Sequence, residues 1–162
     1  MRRSKQRHRA KRERNYLATE AIPLIQSILD DNWNRGNTNQ RKPVIQDITT
    51  VDAGKGKRFN LGRSDAVFLY ETAHGEEQPD IFYDFVHTRV NVSVDIRTME
   101  GRSQLEKMED EFRRIVHLKR KGDGTNFDRL LYKNRTDLSD RTKRLHRMTF
   151  QVEIVIFSEL IA

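Results

Sequence analysis

The sequence predicts an α+β domain: a mixed or mainly antiparallel sheet with two helices packed on one face, behind a disordered basic N-terminal arm. Three observations lead there. Val90, Val92, Val94 and Ile96 alternate with Arg89, Asn91, Ser93, Asp95 and Arg97, the period of two of a strand with one apolar face. Leu105, Met108, Phe112, Ile115 and Val116 follow at helical spacing. Met148, Phe150, Val152, Ile154 and Ile156 then repeat the strand alternation, with Thr149, Gln151 and Glu153 between them. Two long one-sided strands flanking an amphipathic helix suit a sheet covered by helices on one face and polar on the other.

The elements follow in order. Residues 1–15 hold Arg2, Arg3, Lys5, Arg7, Arg9, Lys11, Arg12 and Arg14 against Glu13 alone. The chain has 31 basic and 24 acidic residues, so 23 of each remain outside this arm. The arm carries the whole net charge of +7, repels itself and has no apolar period, so it is expected to be disordered. Residues 16–162 are expected to form a single domain. Leu17, Ala21, Leu24, Ile25, Ile28 and Leu29 predict a helix ending near Trp33. Pro23 either lies near the first turn of a helix capped by Thr19 or kinks it. Residues 43–52 predict a first strand, 53–63 a basic glycine-rich loop, and 65–72 a second strand turned at "HGEEQPD". The strand from Ile81 to Thr98 hands over to a helix with Ser103 and Glu106 as a capping box. Glu109–Arg113 and Asp110–Arg114 stand at i,i+4 in the favourable order, and Lys119, Arg120 and Lys121 complement the helix dipole. "GDGTN" ends the helix, "FDRLLYKN" is a short strand, "RTDLSDRTKR" a ragged connection, and "RMTFQVEIVIFSE" the last long strand.

The chemistry in the sequence is sparse. With no cysteine, disulfides and thiolate chemistry are excluded. No apolar run is long enough to span a membrane, and no secretory signal is expected. Pro79-Asp80 followed by Asp95-Ile96-Arg97 approaches a magnesium-nuclease pattern, but an arginine stands where that chemistry needs a lysine, and a guanidinium does not give up its proton. Asp95 and Arg97 are therefore expected on a solvated strand face, where exchanging Asp80 and Asp95 for Asn leaves assembly nearly intact. The histidines at 8, 74, 87, 117 and 146 never fall at paired ligand spacing, and Gly54-Lys55-Gly56-Lys57 lacks the rest of a phosphate-binding loop. Tyr70, Tyr83 and Tyr132 are expected to be half-buried sheet residues with wet hydroxyls. No catalytic residue, metal or cofactor is predicted. Eight bases within thirteen positions exceed what solubility needs on a neutral body. The arm, with the loop residues Lys55, Lys57 and Arg58, is therefore expected to meet an anionic partner.

The succession "DAVFLYET", "HTRVNVSVDIRT", "GRSQLEKMEDEFRRI" and "TDLSDRTKRLHRMTFQVEIVIFSE" resembles the tail-terminator and tail-completion proteins of long-tailed bacterial and archaeal viruses. The resemblance covers roughly residues 43–162 and is a pattern of elements, not a catalytic signature. It implies helices on a mixed or antiparallel sheet and a non-enzymatic structural role. It also implies assembly into a ring, usually sixfold, at the head–tail junction or the head-proximal tail end. Expected partners are copies of the chain, connector and tail-tube proteins, and viral double-stranded DNA. The expected location is the virion, assembled in the host cytoplasm. The basic arm is not part of the family's pattern, which leaves terminator, neck adaptor and connector open. From the residues alone, a nucleic-acid-binding module acting through its arm is the alternative.

Overall fold

The structure, a computed structural model, describes residues 21–35, 41–47, 65–77, 85–124 and 126–159. The arm at 1–15, the loop bearing Lys55, Lys57 and Arg58, and Pro79–Asp80 lie outside the described residues. In chain order the elements are α1 (Ala21–Asn32), β1 (Val44–Asp47), β2 (Ala66–Glu77), β3 (Phe85–Thr98), α2 (Arg102–Leu118), β4 (Phe127–Asp137) and β5 (His146–Glu159). The five strands form one sheet in the order β1-β2-β3-β5-β4. β1 runs parallel to β2, and every other neighbouring pair is antiparallel. This is the expected α+β class with a mixed sheet.

Both helices cover the same face. α1 packs on β1, β2 and β3, while α2 packs on β3, β4 and β5. Between them lies one apolar core, in which Val90, Val92, Val94 and Ile96 of β3 meet Met148, Phe150, Val152, Ile154 and Ile156 of β5. The register sets Val94 opposite Phe150 and Val92 opposite Val152. The stripe of α2 closes the layer, with the Phe112 ring 4.8 Å from that of Phe150. On α1, Ile22 is buried as well as the expected positions, whereas Leu24 is only partly covered. Pro23 falls in the first described turn, where a missing backbone donor costs least. Asn34, at φ 67, turns the chain out of α1 in a left-handed conformation that asparagine tolerates.

Several local expectations are corrected. The cap of α2 is Gly101, at φ 114, and no side chain caps the helix. Ser103 and Glu106 are not a capping box, because the glycine turn starts the helix one residue ahead of Ser103, and Glu106 pairs with Arg102. Arg114 does not pair with Asp110. It binds Glu111 at 2.7 Å and the carbonyl of Asn32 at 2.7 Å, while Glu111 accepts the Asn34 amide, so the group ties the end of α1 to α2. Glu109 is buried and its main partner is Arg135 of β4; its approach to Arg113 is looser, 3.9 Å. His74 to Glu77, expected in a turn, continue β2, because β3 supplies partners as far as His87. β4 likewise runs on through Arg135 to Asp137, paired with β5 as far as Met148. The ragged connection shrinks to a turn closed by Asp140, whose carboxylate accepts from the Thr142 amide and hydroxyl.

Candidate functional site on the polar face of the sheet

Alternation that turns valines toward the helices turns the intervening residues to the opposite face. There β3 presents Arg89, Asn91, Ser93, Asp95 and Arg97 in a row. β5 presents Arg147, Thr149, Gln151, Glu153 and Val155 beside them. Asp95 stands opposite Thr149, and Arg97 opposite Arg147. β4 adds Thr136 next to Thr149 and Asn134 next to Gln151.

This face is not a simple wet surface. Asp95 is 0% exposed, contrary to the solvated position expected for it. Arg97 donates to its Oδ2 from Nε at 3.0 Å and from Nη2 at 2.6 Å. Arg147 donates from Nε to Oδ1 at 2.9 Å and to Oδ2 at 3.0 Å, and its Nη2 lies 2.9 Å from Oδ2. Both guanidinium groups lie over the carboxylate and keep 25% and 30% of their side chains exposed. Arg97 also covers the ring of Phe68, 4.9 Å from its centroid, which accounts for the burial of an aromatic on the face away from the helices. Gln151 folds over Ser93 in the same way, donating to its Oγ at 3.0 Å. Long polar side chains laid flat on the strands thus form a second, thin layer.

The chemistry of this layer follows from its occupancy. A carboxylate with no exposure that receives donors on both oxygens from two permanent cations has its charge already compensated, and the arginines cannot serve as bases. The arginines do keep N–H groups: Nη1 of each is not engaged with Asp95. Thr149 is 8% exposed, and its hydroxyl has no hydrogen-bond partner among the described residues. The body of the chain is neutral, yet between Arg89 and Arg97 this face gathers Arg89, Arg97, Arg129, Lys133 and Arg147. Against them stand Asp95, held by Arg97 and Arg147, Glu153, paired with Lys133, and Asp128, paired with Arg129.

A second buried carboxylate has a different role. Asp65, 1% exposed, accepts from Thr98 Oγ1 at 2.7 Å and Gln104 Nε2 at 2.8 Å, with Arg41 at 3.4 Å. Its own carbonyl accepts the Val44 amide. It clasps the ends of β1, β2, β3 and α2. No group of three His, Cys, Asp or Glu side chains among the described residues is arranged to hold a metal ion.

Arg2, Arg3, Lys5, Arg7, Arg9, Lys11, Arg12, Arg14, Lys55, Lys57 and Arg58, the binding residues named from sequence, lie outside the described residues. The sequence places Thr149 on the outward face of the last strand without a role and does not single out Arg147. The alternation of β5 was their signal, since it puts both on one face with Gln151 and Glu153. No helix among the described residues is long and apolar enough to cross a membrane. No protein-family model matches this chain, and no curated protein matches it. Its function must be read from its own elements.

Proposed function

We propose that the chain is a non-enzymatic structural subunit of a virus particle that assembles into a ring at the head–tail junction or the head-proximal end of the tail. The observation that carries the reading is the division of the sheet. Helices take one face, and the other is a long polar layer whose buried carboxylate is held by two arginines. Such a face suits a lumen or a neighbouring subunit better than a reaction. The order of elements, with a helix between the third and fourth strands and a mixed sheet beneath, agrees with the resemblance to tail-terminator and tail-completion proteins. Copies of itself, connector and tail-tube proteins are the partners this implies. Light scattering and negative-stain images of the purified protein, alone and with a tail-tube protein, test it. Closed rings are expected, and a strict monomer under both conditions overturns the reading.

The charge of the arm favours a second reading, a nucleic-acid-binding module. Eight bases on an otherwise neutral chain attract phosphates, and counterion release makes such binding fall with salt at a log–log slope of roughly −0.9 per duplex phosphate contacted. A chain shortened to begin at Tyr16 is expected to fold, because the arm brings no apolar surface, and to lose most of its low-salt DNA affinity. Equal affinity with and without the arm, measured at two salt concentrations, removes the arm from the binding surface.

A further inference from the structure

We propose that the turn between β4 and β5, with Leu138 and Met99 beside it, is a docking surface for a second copy of this chain. The second copy enters with its acidic segment, residues 71–84. The proposal rests on the reading that copies of the chain join, and it names the two surfaces that meet.

The turn is closed on itself. Asp140 and Leu145 exchange backbone hydrogen bonds at 2.8 and 3.0 Å, and the Arg144 amide donates to the Arg141 carbonyl at 3.4 Å. The Asp140 carboxylate accepts from the Thr142 amide and hydroxyl and from the Lys143 amide, so it is occupied within the turn. On this frame stand Arg141, Lys143 and Arg144, all exposed. Lys143 approaches Asp140 only to 4.0 Å, and neither Arg141 nor Arg144 has an ion pair among the described residues. Asp137 and Glu100, at the same end of the sheet, are already taken by Arg102 and Arg41. Arg144 lies at φ 52, a left-handed conformation that glycine or asparagine adopts with less strain than arginine. Three cations within four positions also repel one another. Neither feature helps the turn to fold, and both place uncompensated positive charge at its tip.

The turn has apolar neighbours. Leu138 is 45% exposed and Met99 43%, two of the three large apolar side chains exposed among the described residues. Both belong to this end: the Leu138 amide donates to the Arg147 carbonyl, and Met99 follows Thr98, which stands opposite His146. Exposed apolar side chains rimmed by charge fit a protein partner, whereas a duplex backbone is met by charge alone.

The chain itself holds the complementary segment. Residues 71–84 carry Glu71, Glu76, Glu77, Asp80 and Asp84 with no lysine or arginine, and Arg89 beyond them offsets at most one. Glu71 is exposed where β2 runs on past its pairing with β1. This segment is out of reach of the turn in its own chain. Glu77 stands opposite His87 and His146 opposite Thr98, so eleven positions of β3 separate them, about 36 Å at strand rise. Only another molecule brings the two ends together. Unlike surfaces that complement one another meet head to tail, the arrangement that closes into a ring when its rotation allows.

The test is sedimentation velocity on the full chain over a range of protein and salt concentrations. The parent is expected to associate, and more weakly as salt rises. Arg141→Glu with Arg144→Glu is expected to weaken association by more than about tenfold, because like charges then face one another. Glu76→Lys with Glu77→Lys is expected to do the same, and the chain carrying all four substitutions to recover. Arg144→Gly is expected to melt no lower than the parent yet to associate more weakly, which a purely structural arginine does not give. Should a charge-reversed chain misfold, Arg144→Gly decides. Unchanged association in the arginine variants overturns the surface, as does a parent that stays monomeric at every concentration. Failure of the fourfold variant to recover overturns the acidic segment as occupant. Arginine variants that lose affinity for a short DNA duplex while associating as the parent does assign the turn to DNA, and the proposal falls. Closed rings that survive the reversal uphold the ring and sink this surface. Dimers or open chains that the reversal abolishes and the fourfold variant restores do the opposite.

Discussion

Asp95 is the residue on which the polar face depends. It lies toward the C-terminal end of β3, the central strand, with no exposure, and bridges two arginines that would otherwise repel one another, 25% and 30% exposed on the same surface. Removing the charge of one member of a buried pair leaves the others desolvated without compensation, which costs 3–5 kcal/mol where all partners are buried. Because water reaches both guanidinium groups, Asp95→Asn is expected to cost about 3 kcal/mol, the low end of that range. Urea denaturation measures this directly. A loss below about 0.5 kcal/mol would return Asp95 to the solvated face expected from the alternation alone.

α2 illustrates how an element's ends are decided by its neighbours. Its start rests on Gly101, whose φ of 114 and ψ of 174 suit glycine alone. Gly101→Ala is expected to cost about 1–3 kcal/mol, whereas Ser103→Ala should stay within about 0.5 kcal/mol, since Ser103 caps nothing. A loss of about 1 kcal/mol or more in Ser103→Ala, measured by thermal melting, would restore the capping box. The same helix end is tied to β4 by Arg102 and Asp137, and this hydrogen bond holds the Asp137 carboxyl well below its usual range, helped by Ser139. A carboxylate with a depressed pKa in the fold stabilises above its unfolded pKa of 3.8 and loses that contribution as pH falls below it. At 41% exposure for Asp137 the pair is worth at most about 1 kcal/mol. Acidification from neutral to about pH 3 should therefore destabilise the parent slightly more than Asp137→Asn, in paired denaturation curves at the two pH values.

Across the whole molecule, stability comes from a single apolar layer between two helices and five strands. Phe112 sits near its centre, 1% exposed and stacked at a tilt against Phe150, whose ring centroid in turn lies 5.9 Å from that of Tyr132. Phe112→Ala should cost about 3–5 kcal/mol, a large part of the 5–15 kcal/mol that holds a domain together. A melting temperature near the parent's would show that the layer does not depend on α2. The opposite face adds less to stability, because its contacts are between charged groups partly open to water. Buried apolar area holds the chain.

The amino-acid order alone determined the class of fold, the inward face of β3, α2 and β5, and the confinement of net charge to the first fifteen residues. Those are local properties: side-chain direction follows from a period of two or 3.6 within one element, and no knowledge of a neighbour is needed. Tertiary structure alone decided the rest. Asp95 and Arg147 are separated by 52 positions and meet only because β5 inserts between β3 and β4 in one register. A shift of that register by a single residue would send Arg147 and Thr149 to the helix side and Met148 to the polar side. The lengths of β2 and β4 were likewise set by the reach of their partners, and the start of α2 by the turn at Gly101. Burial of a charge depends on what is laid across it, and here that is a pair of arginines supplied by two different strands.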